Sequence, residues 1–138
     1  MRARGVAILG VAAAFAAGCG DEDFENEPRP PVTMELTGVI QDDKVTISPS
    51  RNIGAGPFSI TVSNQTDAPH TLILEGESIN EQVGPVEPAG TATIKQTLAP
   101  GSYEVRAGSE KAVPREITPA VLDIGKERED SNSELLLP

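Results

Sequence analysis

One histidine (His70), one cysteine (Cys19) and 21 carboxylates are the groups in this 138-residue chain from which catalysis or metal binding would have to be built. Nucleophilic catalysis needs an imidazole with an orienting acid beside it. No Gly-x-Ser-x-Gly elbow, His-Glu-x-x-His pair or glycine-rich phosphate loop accompanies His70. Asp42 and Asp43 are adjacent, yet they sit between two strand-like runs, where paired acids are turn chemistry before they are an acid-base pair. Glu75, Glu77, Glu81 and Glu87 are spread along a segment broken by Gly76, Gly84, Pro85, Pro88 and Gly90. Lacking the alternating Asp and Asn of a calcium loop, they are expected to form a solvated surface. His70 itself is expected to be a strand-start residue hydrogen-bonded to a neighbouring loop. Its functional alternatives are a weak metal contact, a partner contact or a pH-sensitive contact. Arg106, Lys111 and Arg115 lie in or near one loop and form, with His70, a candidate partner surface; scattered solubilising charge is the plainer alternative. These spacings predict neither an enzyme nor a bound cofactor.

The elements that carry these residues begin with an export signal. Arg2 and Arg4 precede an apolar run over 6–17 that is too short to span a membrane and ends in Ala16-Ala17-Gly18-Cys19. That ending resembles the lipobox of bacterial lipoproteins, with Ala16 where the pattern prefers Leu. The resemblance implies a signal peptide over 1–18 and a lipid on Cys19, which then becomes the first residue of the mature chain. It also accounts for a lone cysteine in an exported protein. Removing two arginines and no acid takes the formal charge from -10 to -12, which excludes nucleic acid and other polyanions as natural partners. Residues 19–31 carry five acids against Arg29, then Pro30 and Pro31, with Phe24 the one large apolar side chain. This composition predicts an extended tether with a reach of roughly 35 to 40 Å.

From residue 32 the pattern changes to short alternating apolar runs divided by Gly, Pro, Asn and Asp, the spacing of an all-β sandwich. Strands are expected over 32–40, 44–48, 58–63, 70–75, 91–98, 101–107 and 120–124. The stretch 76–90 reads as a long loop with room for one or two helical turns. Nothing in the chain keeps a helical period over three turns. Pro100 and Gly101 make a turn into a strand whose Tyr103, Val105 and Ala107 share a face. A tyrosine two residues after such a turn resembles the tyrosine corner of Greek-key sandwiches, so Tyr103, Pro100 and Gly101 are read as structural. Asn64-Gln65-Thr66 is formally a glycosylation sequon and is read here as a turn. With no disulfide available, about 95 residues must hold together by apolar packing, which is enough for one small monomeric domain. The tail over 126–138 is charged until Leu135, Leu136 and Leu137 and is expected to be disordered.

The order of these motifs resembles the cupredoxin-like domain of exported plastocyanin-type proteins. It is carried by Phe58 and its alternation as far as Asn64, Pro69-His70, Val86-Glu87-Pro88-Ala89-Gly90, Leu98-Ala99-Pro100-Gly101-Ser102-Tyr103 and Val121-Leu122-Asp123-Ile124. The resemblance covers residues 32–125 and implies a Greek-key β-sandwich; an immunoglobulin-like or fibronectin-like sandwich has the same strand grammar. It would also imply copper, held by two His, a Cys thiolate and a weak axial Met. His70 matches the first His of that set. The position of the family's Cys is Ala107, residues 108–119 contain no Cys, His or Met, and Met34 is the one thioether beyond the signal. One chain therefore cannot assemble a blue-copper site. The expectation is a lipoprotein anchored in the cell envelope, outside the cytoplasm, whose copper-less domain is a non-catalytic binding or structural module with an envelope protein as partner. Copper binding or electron transfer through His70 with ligands supplied elsewhere is the alternative.

Overall fold

The computed structural model describes residues 31–109 and 116–129. They form eight strands: β1 (Met34–Ile40), β2 (Val45–Ser48), β3 (Ile53–Asn64), β4 (His70–Glu75), β5 (Asn80–Val86), β6 (Thr91–Leu98), β7 (Gly101–Gly108) and β8 (Ala120–Glu127). The domain is all-β, with no helix among the described residues.

The sheet is one mixed sheet folded over on itself through its longest strand. The later part of β3 pairs parallel with β1 (Phe58 opposite Met34) and antiparallel with β6 (Ile60 opposite Ile94), and β2 closes that layer on the far side of β1. The first residues of β3 pair instead with β8, Ile53 lying opposite Ile124, and the order continues through β7 and β4 to β5. The strand changes layers at Gly54 and Ala55, where its register with β8 shifts. Gly56, at φ +145, then turns the backbone through a conformation that a side chain would strain.

Alternation fills the space between the layers. Leu36, Phe58, Ile60, Val62 and Ile94 point inward from one layer and Leu72, Leu74, Val105 and Leu122 from the other, each 4% exposed or less. Tyr103 is also buried, and its phenol donates to the Ala99 carbonyl at 2.9 Å, so the turn before β7 is fastened as a tyrosine corner requires.

Two expectations are corrected. The segment read as a loop with a helical turn contains β5, an edge strand paired antiparallel with β4. Its Glu, Gly and Pro are tolerated because one side of an edge strand makes no ladder bonds. The boundary at residue 125 also falls short. β8 continues through Glu127, and Arg128 packs onto the sandwich, so the first residues assigned to the disordered tail belong to the domain.

Candidate functional site

At one end of the sandwich β3 terminates in Asn64, which is wholly buried. Its amide nitrogen donates to the carbonyls of Ala68 (2.8 Å) and Val86 (2.9 Å), and its amide oxygen accepts from the backbone N–H of Thr66 (2.9 Å). These partners fix which end of the amide is oxygen. The backbone of the same residue donates to Gly90 and accepts from Ala89, while Gln65 donates to the carbonyl of Ile40. One asparagine thus holds the 65–69 turn, the 87–90 turn and the end of β1 together. The sequon is closed to modification by the same burial.

Thr66 extends this network to His70. Its hydroxyl lies 2.8 Å from the Asn64 amide oxygen, 2.9 Å from the Ala68 carbonyl and 2.9 Å from His70 Nε2. Two oxygens already compete for the single hydroxyl proton, so the network is best satisfied when Nε2 is the donor and the Thr66 oxygen accepts. A neutral ring then carries a bare lone pair at Nδ1. That atom is buried and has no hydrogen-bond partner among the described residues, while the whole residue is 2% exposed. An unsatisfied buried acceptor costs about 1–3 kcal/mol.

The local chain explains why the ring turns inward. His70 opens β4 opposite Val86, and the register shifts between His70 and Leu72. Gly84 stands in β5 beside this shift at φ +148, where an added Cβ would lie 3.1 Å from the Cα of Thr71. An open cleft of about 460 Å³ lies at this point, with Pro69, His70, Thr71, Gln82 and Pro85 among its walls.

The other expected site residues do not gather here. Arg106 lies opposite Ile73 on the outer face of the β4–β7 pair, the face away from the His70 ring. It forms half-exposed ion pairs with Glu75 (3.4 Å) and Glu104 (3.5 Å), which are worth little in water. Lys111, Arg115 and Cys19 lie outside the described residues, as do the expected signal peptide over 1–18, Phe24 and Leu135 to Leu137. Ala107 faces Leu72 across the strands and packs against the core. Among the described residues no three His, Cys, Asp or Glu side chains converge as metal ligands, so the residues present do not fit the copper set of the resembled family. Glu81 instead accepts from the Gln96 amide at 2.9 Å, and Asp43 holds the 116–118 segment through its carbonyl, which accepts from Thr118 N.

At the opposite end Arg128, which sequence reasoning missed, gathers three carbonyls. Its guanidinium donates to Val32 (2.6 Å), Pro57 (2.7 Å) and Ala55 (3.3 Å) and lies 5.0 Å from the centre of the Phe58 ring. Its backbone N–H bonds the Ala55 carbonyl as well. The start of the domain, the layer change in β3 and the end of β8 are thereby tied to one side chain. Along β3, Gly56 and Asn64 are eight positions apart, about 26 Å at strand rise, so this clamp and the Asn64 network occupy opposite ends. No protein-family model matches the chain, and a search of curated proteins finds no match to it either.

Proposed function

We propose that this chain is an exported lipoprotein, held to a membrane by a lipid on Cys19, whose sandwich is a cupredoxin-like domain used as a non-catalytic binding or structural module. The observation that carries the reading is the state of His70. The one imidazole in the chain is buried and spends Nε2 on Thr66, so it serves the scaffold that holds three segments in place. Rigidly held turns are a common way to present a binding surface. The geometry also suits a tether. Val32, the point at which the tether would join, is clamped by Arg128 at the end far from these turns, leaving them clear of the anchor.

Two experiments test this. Metabolic labelling with a palmitate analogue should mark the wild-type chain and leave Cys19→Ser unlabelled; label on the variant would overturn the anchoring. Cross-linking on intact cells should capture an envelope protein through probes placed in the 65–69 or 87–90 turns. Capture of the same protein through probes on every face would remove the turn surface from the account.

A second reading is favoured by a specific observation. The bare lone pair of His70 Nδ1 is the kind of donor that a soft or borderline metal accepts, so copper binding with the remaining ligands supplied by another protein is its form.

A further inference from the structure

The two outer faces of the sandwich differ in chemistry although both are built from solvent-facing strand positions. On the β2-β1-β3-β6 layer, Ser48, Thr37, Thr61 and Thr93 lie opposite one another across all four strands. One step along, Thr46, Val39, Ser63 and Thr91 form a second row in the same register, and Glu35, Ser59 and Lys95 form a third across β1, β3 and β6. Strand geometry spaces the columns about 4.8 Å apart and the rows about 7 Å apart. The charges on these rows are one acid and one base. The other outer face carries Glu75, Glu104, Arg106 and Asp123, with ion pairs among them.

Threonine favours strands wherever one face meets water, which accounts for some of these residues. It does not account for three aligned rows of them on one face of a chain with net charge -10, when the other outer face sets Thr71 and Ser102 among charged side chains. Nor does it account for Ser59. This side chain sits between Glu35 and Lys95 on the outer surface, is 5% exposed, and has no side-chain hydrogen-bond partner among the described residues. Thr61 and Thr93 bond each other at 2.9 Å, which shows hydroxyls of adjacent columns within reach of one ligand group.

We propose that this face binds an uncharged, hydroxyl-bearing polysaccharide strand. Each serine or threonine hydroxyl offers one donor and two acceptor sites, the same set a sugar hydroxyl offers, so a row of them pairs with a glycan without regard to polarity. The near-neutral surface costs such a polymer no charge desolvation, and it gives an anionic or cationic polymer nothing to recognise. The inference rests on a different surface from the turns at the Asn64 end and does not depend on that reading.

The test is affinity electrophoresis of the purified full chain, kept soluble in a detergent without sugar groups. The gels contain hydroxyethyl cellulose, dextran or glycol chitin, with alginate as the anionic control. Thr37→Val/Thr61→Val/Thr93→Val keeps the β-branched shape and removes one row of hydroxyls, and Thr71→Val does the same at one position on the other face. Retardation by at least one neutral polymer is expected, weakened at least tenfold in the triple variant and unchanged in Thr71→Val, with the triple variant retaining the wild-type circular dichroism spectrum. The proposal is overturned if no neutral polymer retards the wild type, if alginate retards it equally, or if a folded triple variant binds as the wild type does. Should the triple valine variant fail to fold, Thr61→Lys is the replacement at the centre of the row and must abolish retardation.

Discussion

Each end of the sandwich draws several backbone carbonyls onto one polar side chain, and the two ends differ in what is left over. At the Arg128 end a guanidinium with five N–H donors meets three carbonyls and an aromatic face. It is a fastening with no unpaired buried acceptor among its described partners. At the Asn64 end an uncharged amide spends its donors and acceptor on the turns, and the next residue in the network, His70, keeps one nitrogen bare. The lesson is that the polar groups at the two ends have different purposes. The clamp joins the first and last strands, whereas the asparagine network shapes loops and carries an imidazole that the fold does not fully use.

Removing the hub should cost most. Asn64→Ala strands two carbonyls and an amide inside the protein, and urea unfolding should show about 3–4 kcal/mol of lost stability. Asn64→Asp should be no better, because a carboxylate cannot donate to Ala68 and Val86. Arg128→Ala should cost about 2 kcal/mol by the same measurement, through its carbonyl bonds and the Phe58 contact. Arg128→Lys should recover little of this, since an ammonium cannot span three carbonyls as the planar fork does. If Arg128→Ala proved costlier than Asn64→Ala, the ranking of the two ends would be reversed. Tyr103→Phe tests the second fastening near the Arg128 end, and thermal unfolding should register about 1 kcal/mol for the lost bond to Ala99.

The smallest effect is the sharpest. His70→Leu deletes one neutral hydrogen bond, but it also removes the orphaned lone pair and fills the space with an apolar group of similar size. Stability should stay within about 1 kcal/mol of wild type. A loss as large as that of Asn64→Ala would make the ring a structural equal of the hub.

Much of the fold can be read from the sequence because alternation and turn residues act locally. His70 to Glu75 and Thr91 to Leu98 alternate cleanly, and both are strands. Tyr103 after Pro100-Gly101 resembles a tyrosine corner, and its phenol does bond back to nearby backbone, at the Ala99 carbonyl. β5 hides because an edge strand needs no continuous apolar face, and its Gly84 and Pro85 read as breakers. Arg128 hides for a different reason: its partners Val32, Ala55 and Pro57 lie more than 70 positions away, and nothing in Lys126-Glu127-Arg128-Glu129 separates a clamped arginine from a solvated one. At the site, the position of His70 at a strand start and its bond to a neighbouring turn are visible in Pro69-His70. The bare nitrogen is not, because it depends on how Thr66 shares one proton among three neighbours.

A copper titration of the full lipidated chain tests the central claim most directly. Cu(I) and Cu(II) should be added separately against competing chelators, with His70→Leu alongside. If His70 serves the scaffold, wild type and variant should bind alike and no more tightly than an acidic surface does. Tight one-to-one binding that disappears in His70→Leu would contradict the account and establish the imidazole as a metal ligand.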